Sequence, residues 1–210
     1  MMKTELYSES HLTETAKLFS DSFEDPSRFA YHGTSTLFSK EIESSGFQYP
    51  YAVIPPGDLL ALADSLPAAE HDLASTLRAA VRPTRLGFAP YSYAAVDYAL
   101  TGGGQVVRFC KRAVDVGGVP SETVMARLKT IAGAEPCVYA VDLSDADDLD
   151  LAFGPLFIQS SSPIDPSRIV AKMILPTDFD VMKLKALQAR KPLANARYEP
   201  AALVARLKRA

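Results

Sequence analysis

The stretch Tyr31-His32-Gly33-Thr34-Ser35 holds the residue types best suited to chemistry. A histidine at a strand end offers one ring nitrogen to a sugar hydroxyl. A glycine beside it lets a ligand reach the backbone N–H and C=O. The hydroxyls that follow can bond a ribose or an amide. The other two histidines, His11 and His71, lack such a setting and read as surface residues. Taken alone, His-Gly-Thr is a weak signal, because a lone histidine is more often structural. The string around it is longer, since Ile42-Glu43-Ser44-Ser45-Gly46-Phe47 follows at short range.

An aromatic-His-Gly-Thr-Ser string followed by Ile-x-x-x-Gly-Phe is similar to the first NAD motif of the ADP-ribosyltransferases, on their diphtheria-toxin and poly(ADP-ribose) polymerase side. The resemblance implies that His32 holds the adenosine ribose and that the Gly33 backbone reads the nicotinamide carboxamide. It also implies that Thr34 supports nicotinamide or its ribose, with Ser35 in the same shell. A second stretch, Leu86-Gly87-Phe88-Ala89 with Tyr98 beyond it in YSYAAVDYA, resembles the family's second motif. By that likeness Phe88 and Ala89 end a strand at the NAD site and Tyr98 stacks on the nicotinamide ring. An electron-rich phenol face suits a flat cationic pyridinium. The family often carries another tyrosine where this chain has Gly87, a gap that Tyr91 or Tyr93 is expected to fill. The family's catalytic glutamate falls within FGPLFIQSSSPIDPSRIV, where no acid lies between Phe153 and Pro163. Gln159 is the side chain there that bonds a ribose hydroxyl, which gives a His-Tyr-Gln triad, with Phe157 as the alternative occupant. An amide positions the ribose but supplies no negative charge to a developing cation.

These residues need elements to hold them. A helix is expected over Glu14 to Phe23, and another around Leu37, Phe38 and Ile42 with Gly46 as its C-cap. Pro56-Gly57-Asp58 starts a helix, and Glu70 to Val81 forms the next. Thr84 to Ala89 reads as a strand, Tyr93 to Leu100 as a helix and Gln105 to Val114 as a strand. Ser121 caps a helix to Ile131. Cys137 to Leu143, Leu156 to Gln159 and Arg168 to Ile174 are the later strands. Lys183 to Arg190 and Pro200 to Arg209 are helical candidates. Irregular alternation with strands clustered late favours an α+β fold, and the resemblance implies a split β-sheet core with flanking helices over about residues 28–176 of a single domain.

The composition is that of a globular chain, 48% hydrophobic and 22% charged over 210 residues. Cys110 and Cys137 lack metal-ligand spacing and fit a reduced cytosolic setting as small core residues. No metal is expected. Gly102-Gly103-Gly104 is not a phosphate loop, because no Lys-Ser/Thr follows. Asp145, Asp147, Asp148 and Asp150 read as a solvated turn. Arg108, Lys111 and Arg112 face either a ligand's phosphates or water. No apolar run approaches the length of a membrane span. The polar N-terminus does not resemble a Sec-type signal, which leaves a cytoplasmic location or delivery by another route. Residues 181–210 hold eight Lys or Arg and one Glu, so a +7 segment follows an acidic body. Such a segment is a solvated, partly frayed C-terminal helix, docks internally or meets an acidic partner.

Three functions compete. The first is an NAD-consuming mono-ADP-ribosyltransferase of toxin, effector or phage-defence type, with a macromolecular acceptor and an antitoxin or immunity protein as partner. The second is an RNA- or DNA-directed relative, including the RNA 2′-phosphotransferases, which also carry a His-Gly-Thr-like string. Three histidines are few for a close match to those. The third is a non-enzymatic module that binds NAD or a protein partner.

Overall fold

The computed structural model describes residues 2–25, 27–48, 53–81, 85–102, 104–153, 157–180 and 182. Its strands are β1 (Lys3–Glu5), β2 (Phe29–Ser35), β3 (Leu86–Phe88), β4 (Pro136–Asp142), β5 (Leu151–Phe153), β6 (Ile158–Ser160) and β7 (Ile169–Ile174). Its helices are α1 (Glu9–Thr15), α2 (Ser39–Ser45), α3 (Pro56–Asp64), α4 (His71–Ala79), α5 (Ser92–Thr101), α6 (Gly104–Asp115) and α7 (Glu122–Ala132). The strands form two sheets, of order β1-β7-β4-β2 and β3-β6-β5. The architecture is therefore mixed, consistent with α+β in the general sense.

β4 reads as an unbroken apolar run because both faces of its sheet are covered, and Pro136 through Val141 are all buried. Its antiparallel neighbours are β2 and β7, with His32 opposite Tyr139 and Lys172 opposite Tyr139 on the other side. Successive side chains alternate between two cores, as a strand's period of two requires. Phe29, Tyr31, Val138 and Ala140 join Leu12, Phe19, Ala95 and Ala99 on the α5 face. Ala30, Tyr139 and Val141 join Phe38, Ile42, Leu77 and Val107 on the opposite face.

The helices begin where their caps dictate. The Ser121 side chain accepts the Val124 amide at 3.2 Å and starts α7. Pro56 stands in the first turn of α3, where its missing N–H costs nothing. Gly46 and Gly102 end α2 and α5 with φ of 73° and 76°.

Three expectations are corrected. The stretch from Gln105 to Val114 is helix α6, not a strand. Val107, Cys110 and Ala113 are its buried stripe, and Arg108 and Arg112 are exposed. Its valines suggested a strand, but apolar residues at 106, 107, 110, 113 and 114 follow the helical period, and packing of that stripe overrides propensity. The first helix lies earlier than Glu14 to Phe23, because Ser8 caps it at the His11 amide and Ala16, at φ 56°, ends it. Leu18 and Phe19 then enter the core, and Asp21–Phe23 forms a 3-10 turn. His11 is half-buried, not a plain surface residue, with Nε2 2.7 Å from the Phe19 carbonyl. β1, which pairs in parallel with β7, and β5 have no counterpart in the sequence reading. Both helices expected after residue 182 lie outside the described residues, as does the basic segment.

No described helix is long and apolar enough to cross a membrane. Cys110 and Cys137 are buried free thiols, and burial pushes them up to about 11 and about 12.

Candidate functional site

The two sheets meet at one point beside β2. The Tyr31 amide donates to the Ala89 carbonyl at 2.9 Å, and the Ala89 amide donates back to Tyr31 at 2.7 Å. Beyond that bridge β2 and β3 part, and a cavity of about 500 Å³ opens between them. That size falls within the range of small-molecule sites. His32, Gly33 and Thr34 line it from β2, and Gly87, Phe88 and Ala89 from β3. Tyr98 of α5, Gln159 of β6, and Phe38, Glu41 and Ile42 beside or on α2 complete the named walls. Residues more than a hundred positions apart in sequence are thereby gathered on one hollow.

The backbone of Gly33 is the most open polar feature. Tyr31 directs both its N–H and its C=O away from β4, toward Ala89. In an antiparallel strand the residue two positions on directs its groups the same way. The N–H and C=O of Gly33 therefore face the side where β3 has diverged. β2 is the edge strand of its sheet, and among the described residues no further strand pairs with it there. One donor and one acceptor stand side by side at the cavity wall.

The absence of a side chain at Gly33 has a different cause from the one expected. A Cβ there would lie 1.9 Å from the Ala95 carbonyl oxygen and 2.6 Å from the Ala99 nitrogen. The glycine lets α5 pack onto β2, and that approach is what carries Tyr98 to the cavity.

His32 is locked. Its ring centroid lies 4.6 Å from that of Phe47 and 5.5 Å from that of Phe88. Nδ1 lies 2.9 Å from the Gly87 carbonyl. A carbonyl only accepts, so Nδ1 carries the proton and Nε2 keeps a lone pair. Burial holds the imidazole below its ordinary value, against the smaller opposing pull of the Gly87 carbonyl. The neutral ring thus presents an acceptor, which suits a sugar hydroxyl.

α2 is fixed from behind by a buried polar group. Lys172 of β7, 8% exposed, donates to Ser39 Oγ at 2.8 Å and to Glu43 Oε1 at 2.9 Å. The Tyr139 hydroxyl meets the same two atoms at 2.8 and 3.0 Å. Burial, foremost, pushes that phenol well above its usual value. A lysine within the apolar run of β7 was the available signal for this cluster, and sequence reasoning passed over it.

Three expected residues stand apart from the cavity. Ser35 is fully buried and belongs to the α5 side of the sheet, because it alternates with Thr34. Tyr91 and Tyr93 do not line the cavity but stack on each other, with centroids 5.4 Å apart and planes 6° apart. Tyr93 and Tyr98 are five residues apart on a helix, about 140° around its axis, so they face different ways. The position of the second tyrosine is thus open, and a Cβ on Gly87 meets nothing within 4 Å.

Gln159 stands opposite Gly87 on one side and Ala152 on the other, so its neighbours leave it room. Phe157 also lines the cavity, 43% exposed. One residue that the sequence reading missed touches Gln159: Arg85 Nη1 donates to Oε1 at 3.3 Å. Arg85 and Gly87 share a face of an extended chain, which brings Arg85 diagonally to Gln159. Arg108, Lys111 and Arg112 do not line the cavity. In the acidic turn Asp148 pairs with Arg168 at 2.6 Å. No family model, no curated protein and no solved structure matches this chain.

Proposed function

We propose that the cavity binds NAD and that the chain is an NAD-dependent mono-ADP-ribosyltransferase acting on a macromolecular acceptor. The open backbone pair of Gly33 carries this reading. A primary carboxamide, as in nicotinamide, offers the matching acceptor and donor. His32, with Nε2 as acceptor, and the Thr34 hydroxyl flank that pair within reach of a bound sugar. Tyr98 supplies an aromatic face for the pyridinium. A sheet split at the Tyr31–Ala89 bridge accords with an ADP-ribosyltransferase-like core.

The reaction breaks the bond between nicotinamide and ribose C1, and the electron pair leaves with nicotinamide. An acceptor nucleophile bonds C1 and gives up its proton. The chain's part is to clamp NAD, shield the sugar cation from water and orient the acceptor. Gln159 positions the ribose without offering it a charge. Incubation of the full chain with NAD and cell lysate is the test. Free nicotinamide and label transferred to protein, RNA or DNA are expected, with both lost in His32→Ala. Turnover unchanged in that variant removes His32 from the site, and absence of NAD binding removes the reading.

One observation favours a second reading, an NAD-binding chain without transfer. Arg85 sets a positive charge beside Gln159, and a cation there opposes charge building on the ribose. Gln159→Glu separates the two. Faster nicotinamide release selects transfer. Bound NAD with no turnover in either form selects binding alone.

A further inference from the structure

Arg85 is the one lysine or arginine among the described residues lining the cavity. We infer that it is the anion-binding residue of this site and holds a phosphate of the ligand. The inference rests on the NAD reading and goes further, because it makes a phosphate-bearing ligand a requirement of this chain's own residues.

The geometry leaves the guanidinium available. It is exposed, just ahead of β3, and one of its N–H groups reaches Gln159 Oε1 at 3.3 Å. That is a long contact to a neutral amide, whereas a phosphate oxygen makes a shorter, charge-assisted and bidentate one. Arginine has five N–H donors and accepts from none, so a phosphate competes with Gln159 for few of them. The route between Arg85 and the cavity runs over Gly87, where even a Cβ would meet open space. The cations of α6 that the sequence offered for this role, Arg108, Lys111 and Arg112, are away from the cavity. The walls are otherwise largely apolar, with Glu41 the one carboxylate among the described lining residues, so Arg85 is the charge there that attracts an anion.

The competing role for Arg85 is to orient Gln159 and nothing more. Binding of NAD, ADP-ribose and nicotinamide riboside to the full chain distinguishes the two by calorimetry, because only the first two carry phosphate. Arg85→Ala is expected to weaken NAD and ADP-ribose about tenfold or more and to leave nicotinamide riboside within about twofold. Arg85→Lys is expected to fall between. The salt dependence of NAD affinity should flatten in Arg85→Ala. Melting temperatures should match, since the side chain is exposed. Equal weakening of all three ligands, or a salt dependence that does not flatten, overturns the phosphate role in favour of orientation. Unchanged NAD affinity in Arg85→Ala overturns the inference while the NAD reading stands. If the wild-type chain binds none of the three, the NAD reading fails and this inference with it.

Discussion

Gly33 and the Ala95 carbonyl oxygen are so close that a Cβ on the glycine would stand 1.9 Å from it. The three nearest contacts of that Cβ are all backbone atoms of α5, so no side chain can swing aside. Gly33→Ala must push α5 off β2. Overpacking of a core costs about 1–3 kcal/mol, and a backbone clash belongs at the upper end. Gly87→Ala is the control, because its Cβ enters open space. Chemical denaturation should show a loss of about 3 kcal/mol for the first and little for the second. Similar stability in both variants contradicts this account of Gly33.

The pH dependence of the site follows from His32. Its folded pKa lies below the ordinary value of 6.5, chiefly through burial. The unfolded ring takes up a proton first as pH falls. The His32 contribution to stability is therefore full above about pH 6.5 and is lost as pH drops toward the folded pKa. Ligand affinity follows the same direction, since protonation removes the acceptor at Nε2. NMR titration of the ring should give a midpoint below 6.5. NAD affinity should fall below that midpoint and lose its pH dependence in His32→Asn. A ring that titrates above 6.5 contradicts the buried neutral state.

Tyr98 is assigned to its ring face and not to its hydroxyl. Tyr98→Phe should then bind NAD within about twofold of the parent, and Tyr98→Ala about tenfold more weakly. An aromatic pair is worth about 0.5–1.5 kcal/mol beyond the area it buries. A large loss in Tyr98→Phe reassigns the role to the phenol oxygen.

The sequence revealed some of this and hid the rest for physical reasons. His32, Gly33, Thr34, Phe88, Ala89, Tyr98 and Gln159 share one cavity although they come from four separate strands and helices. Local strings were enough for that, because each lies in or beside one short strand or helix, although His32 stands in the middle of β2 and not at the strand end expected, and Gln159 in the middle of β6. Tyr93 turns away because the angle around α5, not distance in sequence, decides what faces the cavity, and Tyr91, the residue before α5, stacks on Tyr93. Val106, Val107 and Val114 suggested a strand where burial of Val107, Cys110 and Ala113 makes a helix. Arg85 was missed because its meaning depends on the pairing of β3 with β6, a contact across 74 positions.

Lys172 bears on stability and on the cavity wall. Its ammonium reaches Glu43 Oε1 at 2.9 Å, with side-chain exposures of 10% and 35%. Breaking a fully buried pair costs about 3–5 kcal/mol, because the remaining charge is stranded. Glu43 keeps some water contact, so Lys172→Met should cost nearer about 2 kcal/mol. Glu43→Gln removes the other charge and retains an oxygen for the Tyr139 hydroxyl, now 3.0 Å from Glu43. If the pair acts as a unit, the double variant loses less than the two single losses added, by about 1 kcal/mol. Denaturation of the four proteins closes that cycle. Strictly additive losses contradict a coupled pair and leave Ser39, 2.8 Å from both Lys172 and Tyr139, as the contact that fixes α2 against the sheet.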